Sequence, residues 1–315
     1  MADNYAEVKR QFDEKRDLAY ALAEARRGEL RGKSDEYKLL DDAQNGCMAE
    51  LMHLMQDLSK DHGAQIANIK EEMKLLRSQK EAVLEKLGLP KDHDRVKFEC
   101  DKCEDTGFIG IDVCDCFKKA LRMENYLSSG LGKALVRQKF ENFELDLYPA
   151  EVRADMEKVF DYVRDYAEHF SKNSPSLLFI GGTGLGKTHL SSALAMKVLD
   201  AGYDVVYDTA QSVFSAFEKN RFNRDDKETP RYTECELLIM DDLGSEMNSQ
   251  AGTSTLYNIL NARMNSELPT VISTNLSPNE LRAKYDSRII SRLFGQFGIM
   301  QFTGRDIRME KLKNL

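Results

Sequence analysis

The spacing of apolar positions changes near residue 140, and two kinds of element follow from the change. Over the first ninety residues, apolar side chains recur at alternating three- and four-residue steps, and no proline occurs before Pro90. In IANIKEEMKLLRSQKEAVLEKLG, the residues Ile66, Ile69, Met73, Leu76, Val83 and Leu87 form one helical seam, interrupted only by Lys80. An earlier seam runs through Leu40, Ala43, Cys47, Leu51, Leu54 and Leu58. The two are out of phase across SKDHG, residues 59 to 63, so the helix either turns into a hairpin or continues through a stutter; the hairpin is the preferred expectation. A seam reports burial without saying against what. A small bundle packing on itself and a docking surface for another protein are equally compatible with it.

From KFENFELDLYP onward, short wholly apolar runs alternate with amphipathic stretches. That alternation predicts an α/β fold, a parallel sheet with crossover helices. Strands are expected near 176–182, 204–210, 235–242, 269–275 and 299–303. Helices are expected at about 151–170, 187–201, 211–220, 249–266, 278–285 and 287–295. The expected organisation is a helical region over 1–95, a cysteine module over 96–120, a basic linker over 121–139 and a nucleotide-binding domain over 140–315.

Composition narrows the setting. At 315 residues and 42% hydrophobic, the chain can build a nucleotide-binding domain and something smaller, and no apolar run approaches a membrane span. Its first residues, MADNYAEVKRQFDEKRD, are charged from the start, unlike a signal or transit peptide, so a cytoplasmic protein without a membrane partner is expected. A net charge of −8 argues against a protein that coats nucleic acid along its whole surface, and leaves room for a local basic groove. The one basic strip is FKKALRMENYLSSGLGKALVRQK, residues 117 to 139, with six Lys/Arg against one Glu. It reads either as a phosphate-facing surface or as a solvated linker helix.

The chemistry begins at LLFIGGTGLGKTHLSSALAM. An apolar strand runs into Gly181, Gly182, Thr183, Gly184, Leu185 and Gly186, then into Lys187, Thr188 and His189 at the start of a helix. The pattern G-x-x-x-x-G-K-[ST] lets successive backbone N–H groups face an anion, and the helix dipole adds to the same spot. Lys187 then reaches the β- and γ-phosphates of a nucleoside triphosphate, and the Thr188 hydroxyl ligates magnesium. A flexible glycine turn is the bland alternative, and the strand and helix on either side disfavour it.

CELLIMDDLGSE ends a buried strand on two acids. Asp241 suits the magnesium ion, and Asp242 suits the general base that polarises the attacking water; a turn cap is the bland reading. Asn275 closes the next strand, PTVISTNLSP, placed to orient that water or simply to cap the following helix. In YDSRIISRLFGQFG, Arg288 and Arg292 share one helical face, and Arg305 and Arg308 follow in FTGRDIRMEKLKNL. Each arginine alone would more often form a surface salt bridge.

Four of the six cysteines cluster in FECDKCEDTGFIGIDVCDCFKKAL. Cys100 and Cys103, then Cys114 and Cys116, can bring four thiolates to one ion on a short hairpin, which is the donor set of a closed structural zinc site. An iron–sulfur cluster or a redox dithiol are the alternatives. Cys47 and Cys235 are expected to be ordinary core thiols.

Taken in order, the phosphate loop, LLIMDDLG, STN, SRIISRL and GRDIR resemble the AAA+ ATPases of the DnaC/DnaI helicase-loader group, which includes the IstB transposition ATPases. ENFELDLY resembles the entry to that core, and CDKCEDTGFI with CDCF resembles the cysteine module of Gram-positive-type loaders. The resemblance implies that Lys187 and Thr188 bind ATP and Mg2+, that Asp241 is the metal-side acid and that Asp242 is the catalytic one. It implies Asn275 as first sensor, Arg292 as arginine finger and Arg308 as second sensor. Only seven residues follow Arg308, so a full helical lid is not expected.

The function implied is an ATP-dependent loader of a replicative DnaB-type helicase onto single-stranded DNA, working as an ATP-dependent homo-oligomer and docking the helicase through its N-terminal helices. An IstB-like regulator of transposition is the alternative, disfavoured by the cysteine module. An adaptor with a decayed ATPase is the third, disfavoured by intact Lys187, Asp241 and Asp242.

Overall fold

The computed structural model describes residues 2–56, 62–128, 135–223, 229–246 and 250–309. The chain divides into two compact units, residues 9–114, and residues 1–8 together with 115–315.

The first unit carries most of helix α1 (Ala2–Lys33), then α2 (Asp35–Gln56) and α3 (Gly63–Lys86). The two seams therefore belong to two separate helices, which pack along each other. Leu58 and most of SKDHG lie outside the described residues. Leu30, Tyr37, Val83 and Leu84 form the apolar core, with Leu40 and Leu89 against it. Lys80, the interruption in the seam, is buried, and its ammonium meets Asp41 at 2.8 Å and Asp94 at 3.0 Å. Arg77 pairs with Asp94 at 2.7 Å, and the Tyr37 hydroxyl donates to the same carboxylate at 2.8 Å. A buried ammonium among apolar neighbours needs such partners. Beyond this network Met48, Met52 and Met55 are exposed on α2, and Leu75 on α3. The two-residue strands β1 (Phe108–Ile109) and β2 (Asp112–Val113) pair antiparallel between the two cysteine pairs.

The second unit is a three-layer α/β domain. After α4 (Asp115–Ser128) come α5 (Ala150–Glu168), β3 (Leu177–Ile180), α6 (Lys187–Asp200), β4 (Val205–Thr209) and α7 (Ala210–Asn223). They are followed by α8 (Pro230–Glu234), β5 (Leu237–Leu243), α9 (Gln250–Asn265), β6 (Thr270–Thr274), α10 (Pro278–Lys284), α11 (Ser287–Gln296) and β7 (Gly298–Gln301). Each expected strand and helix is present, with ends shifted by a few residues; α8 was not expected, being a single turn begun by a proline. The five strands of the sheet are all parallel, in the order β4-β5-β6-β3-β7.

Successive residues of a strand face opposite sides, and the core divides accordingly. Leu177 and Phe179 pack with α5 and α6, whereas Leu178 and Ile180 pack with residues of α7, α9, α10 and α11. Because both faces are covered, β3 and the first four residues of β5 read as continuous apolar runs. β3 lies between β6 and β7, where the chain leaves for opposite sides of the sheet, and ligands of open α/β sheets sit beyond the carboxyl end of such a strand.

The basic strip is partly spent inside this unit. Lys119 pairs with Asp200 at 2.9 Å and Lys118 with Asp115 at 3.4 Å, while residues 129–134 lie outside the described residues.

Candidate nucleotide site

The loop after β3 is held from two sides. Gly186 caps α6 at φ +85°, and a Cβ there would lie 2.8 Å from both the Phe143 ring and the Tyr148 hydroxyl. That hydroxyl donates to the Leu185 carbonyl at 2.8 Å, so the FENFELDLY segment fastens the loop directly. On the other side the Ile307 N–H donates to the Gly184 carbonyl at 3.0 Å. A Cβ on Gly184, at φ +75°, would lie 2.0 Å from the Asp306 carboxylate, so only glycine admits this approach.

Lys187 is buried, and its ammonium donates to the carbonyls of Gly181 and Gly182 and to Oδ1 of Asn275, each at 2.7 Å. Burial lowers its pKa to about 8; Asp241 and Asp242 pull it up, and Arg308 pushes it down further. The Thr188 hydroxyl donates to Oδ2 of Asp241 at 2.9 Å. Asn275 donates from Nδ2 to Asp242 Oδ1 at 2.6 Å. Asp242 itself sits at φ +58°, a conformation that non-glycine residues rarely adopt, and its N–H donates to Ser273 Oγ at 3.0 Å. The Ser273 hydroxyl in turn donates to the Asp241 carboxylate.

Ser273 was missed by sequence reading. Its signal was a hydroxyl inside a strand otherwise buried among apolar side chains. A second support is also new: Glu246 accepts from the Gly244 N–H at 2.7 Å and from the Tyr285 hydroxyl, and pairs with Lys284 at 3.2 Å. These contacts tie the turn after Asp242 to the residues preceding α11.

These groups open onto a cleft of about 450 Å³, whose lining includes Gln138, Phe143, Thr183 to His189, Asp241, Asp242, Ser273, Asn275 and Arg308. His189 meets the Phe143 ring edge-on at 5.3 Å and donates from Nε2 to the Lys139 carbonyl at 2.8 Å. Arg308 thus lies at the cleft. Arg292 does not line it: its guanidinium stacks on Tyr257 at 4.5 Å and donates from Nε to Asn261 at 2.7 Å. Arg288 lies over the same ring at 5.4 Å, and Arg305 is exposed.

The loop fits a triphosphate, since its left-handed glycines turn the backbone around a buried cation. Facing hydroxyl and carboxylate groups at Thr188 and Asp241 fit a hydrated magnesium ion.

The Sγ atoms of Cys100, Cys103, Cys114 and Cys116 lie within 4.8 Å of one another, and those of Cys100 and Cys114 are 3.9 Å apart. Tetrahedral zinc with bonds of ~2.3 Å has sulfur–sulfur edges of about 3.8 Å, so the set fits that ion. Asp105 braces the first pair by accepting from the N–H groups of Glu99 and Cys100, each at 2.9 Å. Cys47 and Cys235 are buried, as expected of core thiols, and burial pushes both thiols up.

Sheet order, glycine loop and paired acids define a P-loop nucleotide-binding α/β protein. Residues 121–313 match the model of the IstB-like ATP binding protein family, more than half of the chain, and the protein belongs to that family. Among curated proteins it is 27% identical over 180 residues to the replicative helicase loader DnaC of Buchnera aphidicola subsp. Baizongia pistaciae, covering 56% of this chain and 71% of that one. It is 26% identical over 161 residues to the replicative helicase loader DnaC of Escherichia coli K12, covering 50% of this chain and 65% of that one. Among solved structures, a crystal structure of the DnaC helicase loader matches with a TM-score of 0.49 at 19% identity, covering 54% of this chain and 99% of that one. No helix among the described residues is long and apolar enough to cross a membrane.

Proposed function

We propose that the protein is an ATP-hydrolysing loader that places a DnaB-type replicative helicase on single-stranded DNA. The observation that carries the ATPase part is the continuous chain Lys187–Asn275–Asp242, set beside the pair Thr188–Asp241. ATP supplies the phosphoanhydride and magnesium the counter-charge. Lys187 exchanges two neutral carbonyls for phosphate oxygens, which a cation prefers. Thr188 and Asp241 would hold the ion, Asp242 would take the proton of the attacking water, and Asn275 would orient that water. Arg308, which also lines the cleft, would meet the triphosphate there. The helicase part rests on the printed names of the relatives.

The cysteine cluster would hold zinc as a closed site, fixing the β1–β2 hairpin without taking part in chemistry. The four-cysteine segment lies outside the matched 121–313. An IstB-like regulator of transposition is the second reading, favoured by the description of the matched family.

The test is direct. Lys187→Ala should abolish ATP binding, and Asp242→Asn should bind ATP and not turn it over. Equal hydrolysis by Asp242→Asn and the parent would sink the mechanism. Co-elution with the purified DnaB-type helicase of the same organism supports the loader; co-elution with a transposase instead supports the second reading.

A further inference from the structure

Asp241 and Asp242 are neighbours in sequence, and their chemistry needs both at one place. Successive residues of a regular strand face opposite sides of its sheet, so a straight β5 would turn one of the two acids away from the cleft. Both line it, Asp241 bonded to Thr188 and Asp242 to Asn275.

The packing of β5 resolves the conflict. Leu238 and Met240 belong to the apolar cluster on the α7 side of the sheet, at the alternate positions a strand requires. Leu243 belongs to that same cluster, although strict alternation from Met240 would place it on the other face. One extra residue therefore sits between them. The ladder with β6 has the same irregularity: Met240 pairs with Ile272 and Leu243 with Thr274, which leaves Asp241 and Asp242 together opposite Ser273 alone. Two residues against one is a β-bulge, and it is the bulge that lets adjacent acids share one side of the sheet.

A bulge interrupts ladder bonding, and this one also holds Asp242 at φ +58°, a backbone state that persists in a non-glycine residue only where its neighbours impose it. Ser273 is buried directly across from it. Its Oγ accepts the Asp242 N–H at 3.0 Å, and its O–H donates to the Asp241 carboxylate. One hydroxyl thus spends its acceptor on one bulge residue and its donor on the other. We propose that Ser273 is the positioning residue of the acid pair: its hydroxyl pins the bulge and so keeps Asp241 and Asp242 together at the cleft. The assignment deepens the ATP-hydrolysis reading, and its kinetic consequence rests on that reading.

Amide hydrogen exchange of the full chain without nucleotide, resolved to single residues by mass spectrometry, reads the pin directly. In Ser273→Ala the Asp242 amide should exchange on the order of tenfold faster or more, while the amides of Leu238, Ile239 and Met240 keep their rates. Steady-state ATP hydrolysis with magnesium should show kcat lowered on the order of tenfold or more with KM within a few-fold, because a hydrogen bond that orients a charged group is lost and the phosphate loop is left intact. Ser273→Thr keeps the hydroxyl and should restore both readouts. Unchanged exchange at Asp242 in Ser273→Ala overturns the assignment. Equal acceleration along all of β5 also overturns it, since Ser273 would then support the strand as a whole. So does a folded Ser273→Thr that exchanges as fast at Asp242 as Ser273→Ala, or a Ser273→Ala with the parent's kcat. If the parent hydrolyses no ATP, the hydrolysis reading falls, and the exchange rates still decide whether Ser273 pins the bulge.

Discussion

Nζ of Lys187 donates to Oδ1 of Asn275 at 2.7 Å, across 88 residues of sequence. The other end of the same amide donates to Asp242 at 2.6 Å, so one side chain spans the buried ammonium of the glycine loop and the acid. An amide that orients without carrying charge contributes chiefly to the transition state. Asn275→Ala should therefore keep ATP affinity within a few-fold and lose turnover on the order of a hundredfold. Steady-state kinetics alongside titration decide it: weaker binding with unchanged kcat would show that Asn275 serves the ground state only.

The phosphate loop and the acids were legible in sequence because their chemistry is local. A strand, a turn and a helix start fix where Lys187 and Thr188 lie. Strands β3 and β5 were legible because a sheet covered on both faces leaves apolar runs there. The supports of the site were not legible. Ser273 and Glu246 act through partners 31 or more residues away, and no spacing rule encodes such meetings. Lys80 illustrates the same limit, since its partners Asp41 and Asp94 come from other segments.

Lys187 should make nucleotide binding dependent on pH. Burial holds its pKa at about 8, below the ordinary 10.5, and phosphate oxygens should raise it again. Binding then draws a proton when the pH exceeds about 8. ATP affinity should be flat below that pH and fall by up to tenfold per unit above it. Calorimetry at pH 9 in two buffers of different ionisation enthalpy measures the uptake; identical heats in both would contradict it.

The buried network of the helical unit should govern its acid stability. Burial raises the Asp94 carboxyl, but Arg77, Tyr37 and Lys80 outweigh it and hold the pKa at about 2, below the ordinary 3.8. A depressed folded pKa stabilises above the unfolded value, and that stability is lost as pH falls from about 4 toward 2. Lys80→Ala leaves Asp41 short of its buried partner and should cost about 3 kcal/mol. Urea unfolding followed by far-ultraviolet circular dichroism tests both points, and an unchanged midpoint in Lys80→Ala would refute them.

The cysteine cluster gives a prediction free of activity. Elemental analysis of purified protein should find about one zinc per chain, and Cys103→Ser should lose it together with stability. Metal-free protein that melts at the same temperature as the zinc-bound form would show the four thiols to be structurally idle.

Arg292 separates an assembly-driven ATPase from a self-sufficient one. It lies outside the cleft of its own chain, parked on Tyr257 and Asn261, and one helical turn from Arg288 on α11. The Glu246 clamp ends on Tyr285, next to the Asp286 cap of that helix, so the turn after Asp242 and the arginine-bearing helix share a rigid link. An arginine supplied by a neighbouring subunit can be worth roughly 10³-fold in turnover, because it meets charge that exists only in the transition state. Arg292→Ala should therefore bind ATP normally and lose stimulated hydrolysis, with Arg288→Ala milder. Mixing Arg292→Ala with Asp242→Asn should restore part of the rate, since some mixed interfaces pair an intact Asp242 with an intact Arg292. No recovery in the mixture would place Arg292 among the structural residues, held by its own chain through Tyr257.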